Sequence, residues 1–218
     1  MNNDTGLFVD DASAETSADA KQKHWGLAVK RFLDVLCSLL ALCAFIVPCL
    51  IIGFVIWCED KHSPLFSQER IGYRGRPFML YKFRSMRIDA EKDDRPELCH
   101  EDDSRLTNVG AFMRRHHLDE LPQLWNVLRG DMSFVGHRPE RSYFIDKISE
   151  HSPDYPRLYV LRPGLFSYAT LYNGYTDTME KMLRRLEMDI EYLENRSLWL
   201  DFKIIIKTTH AILSGKNF

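Results

Sequence analysis

From Val35 to Cys58 the chain runs 24 residues without a charged side chain. As a straight helix this stretch would extend about 36 Å, against a bilayer hydrocarbon core of about 30 Å. A soluble core helix rarely offers so long an uncharged run, so the segment reads as membrane-inserted. Pro48 divides it near the middle. Proline removes a backbone donor and crowds the preceding turn, so a kink is expected there. The two arms, Val35–Val47 and Cys49–Cys58, are each too short to cross alone. Basic residues flank both ends: Lys21, Lys23, Lys30 and Arg31 before, and Lys61, Arg70, Arg74 and Arg76 after. Basic flanks favour the cytoplasmic side. A hairpin that enters and leaves by one face satisfies both; a single kinked span remains equally compatible with the residues alone.

The flanking regions differ in kind. Residues 1–24 begin with Asp4, Asp10, Asp11, Glu15 and Asp19 and little that could be buried, the composition of a disordered acidic tail. This start lacks the basic region and apolar core of a signal peptide. Residues 25–60 form the membrane element and 61–218 a catalytic-sized domain. Over the whole chain 29 basic residues face 31 acidic ones, so charge gives no reason to expect a nucleic-acid partner. Of five cysteines, Cys37, Cys43, Cys49 and Cys58 lie in the apolar run, and no Cys-x-x-Cys spacing suggests zinc.

Within the domain, Phe78–Phe83 fits a short strand and residues 89–105 a charged, solvated segment. Val109, Phe112, Met113 and His116 share one helical face, as do Leu121, Leu124, Trp125 and Leu128. Pro122 suits the first turn of the second helix and Gly130 its end. This places Asp119 at a helix N-terminus, where the dipole and nearby cations should keep it ionised. Residues 131–175 read as loops and short elements. Two helices close the chain, one over 177–193 and one from Ser197 to Leu213, whose apolar face suits core packing or a membrane surface.

The chemistry concentrates in Arg114-Arg115-His116-His117-Leu118-Asp119-Glu120. Arginines can hold phosphate oxygens, and adjacent carboxylates can bind Mg²⁺ or attack phosphorus. An Asp-Glu pair before a helix is more often only a cap. The surrounding motifs change that weighting. In order, the chain carries Lys30-Arg31-Phe32-Leu33-Asp34, Tyr81-Lys82-Phe83-Arg84-Ser85-Met86 and Leu118-Asp119-Glu120-Leu121-Pro122-Gln123-Leu124. Asn126 to Gly136, Arg138-Pro139 and Arg162-Pro163-Gly164 follow. Over about residues 28–213 the chain thereby resembles the bacterial sugar transferase family, the monotopic phosphoglycosyl transferases.

The resemblance implies a mainly α fold with minor β. A re-entrant membrane helix hairpin, broken at Pro48, would join a cytoplasmic helical catalytic domain with interfacial amphipathic helices. It implies transfer of a sugar 1-phosphate from a nucleotide sugar, usually a UDP-sugar, to undecaprenyl phosphate with Mg²⁺ at the bacterial inner membrane. Asp119 is then the nucleophile that carries the phosphosugar, and Glu120 its partner as metal ligand, base or orienter. Lys82, Arg84, Arg114, Gln123 and Arg138 are the residues expected to contact the substrate. Departures are also visible: Val47 precedes Pro48 where relatives often have Ser, and His137 stands where they have Pro. After Gly164, Tyr168 and Thr170 replace the usual Trp and Gln, which suggests an altered donor-sugar pocket. These departures motivate one alternative, a membrane-anchored adaptor that keeps the fold without the reaction. A hydrolase using the same aspartate is another. The sugar and the pathway stay open, and apolar residues on the last two helices would serve a homodimer or the membrane equally.

Overall fold

The computed structural model describes residues 9–90, 98, 103–174 and 176–214. The fold is mainly helical with two small sheets, as expected. Helix α1 (Val9–Asp60) runs through Pro48 without interruption. Losing one backbone bond does not end a helix whose neighbouring turns remain paired. The helix starts inside the segment expected as an acidic tail; residues 1–8 lie outside the described residues. Among the described residues, its Gly26–Asp60 portion is the one helical stretch long and apolar enough to cross a membrane, and little of it is buried in protein.

Both ends of that apolar portion are tied to the same domain. Near its start, Arg31 donates from Nη1 to the Val127 carbonyl (2.7 Å) and from Nη2 to that of Leu128 (2.8 Å). Asp34 accepts the Phe134 amide at 3.0 Å, and Lys30 pairs with Asp201 at 2.5 Å. Near its end, Ile56 is buried against Phe83 and Met113, and the Arg84 guanidinium forks onto both carboxylate oxygens of Asp60.

Strands β1 (Leu65–Ile71) and β2 (Pro77–Phe83) form an antiparallel hairpin in register Leu65↔Phe83 to Ile71↔Pro77. Helix α2 (Asn108–Arg115) is capped by the Thr107 side chain, and α3 (Gln123–Arg129) ends at Gly130 in the left-handed conformation, φ 95°. A Cβ on Gly110 would sit 1.9 Å from the Ser85 carbonyl oxygen, so only glycine lets α2 lie against the segment following β2. Residues 131–174 hold the short elements expected among loops, now placed. Strand β3 (Ser133–Val135) pairs in parallel with β4 (Gly164–Phe166), and between them lies the eight-residue α4 (Ser142–Ser149). Strands of three residues are too short to register as alternation. The two strands cross at Gly136 and Gly164, where a Cβ on Gly164 would meet the Gly136 nitrogen at 2.1 Å.

Helices α5 (Tyr168–Asn173), α6 (Met179–Asn195) and α7 (Leu198–Leu213) complete the fold. They are N-capped by Ser167, Thr178 and Ser197 respectively. The main core joins Phe144, Ile145 and Ile148 of α4 to Met182 and Leu186 of α6, with Tyr155 and Leu158 from an intervening 3-10 segment. A second cluster packs Ile204 of α7 and Tyr192 of α6 on Val135 and Leu161. Part of α7 is thus core, as expected. Trp199, Phe202, Ile206 and Leu213 remain exposed on its other face.

Candidate active site

A cavity of about 1160 Å³ opens between α1, the β1–β2 hairpin, the segment 114–121, the loop after β3, and α7. Lys82, Arg84, Arg114, Asp119, Glu120 and Arg138 all border it; Gln123, buried in α3, does not. The chain closes here from distant parts, and each approach has a local cause. Asn126, wholly buried in α3, donates to the Met79 carbonyl (2.7 Å) and accepts the Tyr81 amide (3.1 Å). Its side chain thus pairs with the free edge of β2 and fixes the strand that presents Lys82.

His117, at φ 53°, turns the chain out of α2, and Leu118–Glu120 form a 3-10 turn. Asp119 therefore precedes α3, whose N-cap is Pro122, by more than a residue. The expected placement at a helix N-terminus is corrected accordingly, and the dipole contributes less than supposed because it fades outside the first turn. The two carboxylates divide the site between them. Glu120 Oε1 receives Lys82 Nζ at 2.7 Å and Arg138 Nη2 at 3.0 Å. Burial opposes its ionisation, but these two cations outweigh burial and hold the carboxyl far below the ordinary glutamate range.

Asp119 is 5% exposed, and among the described residues no donor lies within hydrogen-bond distance of its carboxylate. Burial pushes its pKa up, with the Glu120 charge adding and Lys82 and Arg114 opposing. The expectation that cations would dominate around Asp119 thus fails, because Glu120 takes the direct contacts. What results is a buried, unencumbered carboxylate beside a neutralised one. Such a group is poorly solvated and open to an electrophile entering the cavity.

The remaining expected residues differ in their engagements. Arg114 Nε donates to Ser85 Oγ at 3.1 Å, so the Gly110 contact and this bond together seat α2 at the cavity. Arg84 borders the cavity, yet its guanidinium is committed to Asp60 and to the Ser63 carbonyl (2.8 Å). Glu140 was missed: its carboxylate bridges Arg70 and Arg185, each at 2.7 Å. Nothing in the spacing of three residues from β1, a loop and α6 announces that meeting. Asn126 lay within a quoted motif, and its signal was a polar residue on the apolar face of a short helix.

For a divalent cation, Asp119 and Glu120 Oε2 offer two hard oxygen donors, Oε1 being taken by the cations. Mg²⁺ is held by one or two carboxylates with the balance from water and substrate phosphates, so this donor set fits. Among the described residues no cluster of three acidic, His or Cys side chains exists that would hold a metal unaided.

The departures at His137 and after Gly164 take different forms in space. The His137 carbonyl accepts the Gly164 amide at 2.8 Å, so β4 supplies the backbone restraint that proline would have given. The His137 ring is fully buried and burial drives its pKa down to about 3, leaving it neutral. Of the altered residues after Gly164, Thr170 borders the cavity. The Tyr168 ring meets that of Tyr172 at a tilt of 60°, and the Tyr172 hydroxyl accepts from Lys207 of α7 at 2.9 Å.

The model of the bacterial sugar transferase family matches residues 25–215. The chain is 37% identical over 187 residues to the UDP-N-acetylgalactosamine-undecaprenyl-phosphate N-acetylgalactosaminephosphotransferase of Aeromonas hydrophila. That match covers 86% of this chain and 44% of the relative. It is 39% identical over 192 residues to the UDP-glucose:undecaprenyl-phosphate glucose-1-phosphate transferase of Caulobacter vibrioides, covering 86% and 71%. A Klebsiella pneumoniae protein with the latter name is 38% identical over 184 residues, covering 84% and 39%. The chain thus spans less than half the length of the Aeromonas and Klebsiella relatives. Relatives named for different sugars match about equally well, so similarity does not select the sugar.

Proposed function

The chain belongs to the bacterial sugar transferase family, and from that premise we propose that it transfers a sugar 1-phosphate from a UDP-sugar to undecaprenyl phosphate at the cytoplasmic face of the bacterial inner membrane. The observation that carries this reading is the division of labour at the site. Glu120 absorbs Lys82 and Arg138, while Asp119 faces the cavity with no donor among the described residues.

In this mechanism an Asp119 oxygen attacks the sugar-bearing phosphorus of the donor. The bond from that phosphorus to the bridging oxygen breaks, and UMP leaves with the oxygen. The phosphosugar stays on Asp119 as an acyl phosphate. An oxygen of undecaprenyl phosphate then attacks the same phosphorus, the acyl–phosphate bond breaks, and the carboxylate is restored. Arg114, Lys82 and Arg138 supply positive charge around the phosphoryl oxygens, the main demand of phosphoryl transfer. Asp119 and Glu120 Oε2 would hold Mg²⁺, which would neutralise phosphate charge when bound. Burial of Asp119 strips the nucleophile of water and guards the acyl phosphate against hydrolysis.

The acceptor lies in the bilayer, so the site belongs at headgroup depth. One observation supports a re-entrant arrangement of α1 over a span. Arg31 and Asp34 at one end and Ile56 and Asp60 at the other all bind the catalytic domain. A straight helix would separate Arg31 from Asp60 by about 43 Å. Attachment of both ends to one domain supports a reading in which both flanks lie on one side, with Pro48 between them. The exposed apolar face of α7 fits contact with the same membrane surface.

The test is turnover by the full chain in lipid nanodiscs containing undecaprenyl phosphate, with Mg²⁺ and a panel of UDP-sugars. At least one donor should give UMP and lipid-linked diphosphate sugar together. Free sugar phosphate without lipid product would indicate a hydrolase, and no nucleotide release from any donor would favour the adaptor alternative.

A further inference from the structure

We infer that Asp189 is a positioning residue for this transfer, fixing the loop after β3 so that Arg138 is held against Glu120. The inference rests on the transferase reading and concerns a residue that does not itself border the cavity.

Asp189 lies on α6 and is 2% exposed. Two cavity-bordering segments converge on its carboxylate. Ser167, at the junction of β4 and α5, donates from Oγ at 3.0 Å, and the main-chain N–H of Arg138 faces it from the loop after β3. Arg138 then reaches Glu120 Oε1 at 3.0 Å. A chain of contacts therefore runs from Asp189 through Arg138 to the partner of the nucleophile. Ser167 is doubly used, since the same Oγ accepts the Thr170 amide at 3.3 Å and caps α5.

A carboxylate in this position is not explained by packing. Asp189, Arg138, Tyr155 and Arg185 border a small interior void with no room for a water molecule. Burying an acid in such surroundings is costly, and an apolar side chain of similar volume would serve stability as well or better. The neighbouring core is aliphatic, with Ile148, Leu158, Met182 and Leu186 bordering the same void. What an apolar residue could not do is accept hydrogen bonds from two separate loops at once.

The charged and titratable groups facing Asp189 are Arg185 on its own helix, Arg138 from the loop after β3, and Tyr155 from the 3-10 segment. Arg185 is itself drawn toward Glu140, and the neutral ring of His137 lies near Arg185. Burial pushes the Asp189 carboxyl up to about 7, with Arg185 and Ser167 opposing. The ionised form accepts from both loops. The protonated form has one fewer acceptor and loosens the Arg138 loop. Transfer should accordingly accelerate as pH rises through about 7.

The test uses the full chain in nanodiscs with undecaprenyl phosphate and an accepted UDP-sugar, comparing wild type, Asp189→Asn and Ser167→Ala from pH 6 to 8.5. Asp189→Asn keeps an acceptor oxygen but cannot ionise. It should lower kcat about 10–100-fold, the scale of a small misplacement of catalytic groups, change donor KM little, and abolish the rise near pH 7. Ser167→Ala removes one bond and should show a smaller loss, which decides the matter if Asp189→Asn does not fold. An unchanged pH profile in the variants would overturn the inference.

A second readout does not need activity. In thermal unfolding, Asp189→Asn and Glu120→Gln should be non-additive, because they act on one Arg138 arrangement. Additive effects would overturn the positioning role even if no donor is turned over. Absence of turnover by wild type would count against the transferase reading alone.

Discussion

The central residue is a carboxylate without a hydrogen-bond donor among the described residues, while its neighbour takes two. Lys82 and Arg138 share one oxygen of Glu120, and Asp119 stays buried with its pKa raised. If Asp119 is the proposed nucleophile, replacing it with Asn should cut UMP release and lipid product by at least ~10³-fold, as for groups that form covalent intermediates. Thermal stability should hold or rise, because a buried acid is replaced by a neutral isostere. A variant retaining activity would show the nucleophile lies elsewhere. Lys82→Met should act in the opposite sense on stability, leaving Glu120 with one cation instead of two. Removing one partner of a buried pair costs on the order of 3–5 kcal/mol, measurable as a lowered thermal midpoint; an unchanged midpoint would mean the pair is not formed. That Asp119, Glu120, Lys82, Arg114 and Arg138 would share one cavity was legible from their motifs, their roles standing as proposals. The division of charge between the carboxylates was not, because it depends on which oxygen the cations reach across 38 and 18 residues of chain.

At the scale of elements, α1 is held by the domain at both ends, and the re-entrant disposition proposed for it can be tested directly. Single cysteines placed at Lys23 and at His62, in a background lacking the native cysteines, should both be shielded from a periplasmic thiol reagent in intact cells. Both should react after permeabilisation. Opposite accessibility would establish a span. The Arg84–Asp60 fork closes the far end. Arg84→Ala should loosen that end and weaken membrane-reconstituted activity through geometry, with Asp60→Ala producing no further loss in the double variant. The apolar run, the two closing helices and the Ser197 cap of α7 could be read directly, because long periodic segments and side-chain caps are local signals. The β3–β4 pair could not. Three-residue strands carry no pattern, and their close crossing is recorded only in two glycines 28 residues apart.

For the molecule as a whole, the buried Arg70–Glu140–Arg185 bridge joins β1, the loop after β3 and α6 around the cavity. Burial opposes ionisation of Glu140, yet the two arginines hold its pKa at about 2, below the ordinary 4.5. Its contribution to stability is thus present above pH 4.5 and is lost as pH falls toward about 2. Asp189 has the reverse sign: its contribution is present below the unfolded value and is lost as pH rises toward about 7. Glu140→Gln should lower the midpoint at neutral pH and flatten the acid slope between about 4.5 and 2. An unaltered slope would remove the bridge from the acid response. These whole-molecule couplings lay beyond sequence reading because each partner comes from a different element, and only the closed fold brings them together.

The most direct measurement is intact-protein mass after brief exposure to a UDP-sugar without acceptor lipid. The account predicts an added mass of one sugar phosphate that maps to Asp119 and disappears when undecaprenyl phosphate is supplied. Lipid-linked product forming at the normal rate with no such adduct, or with Asp119 replaced by Asn, would contradict it.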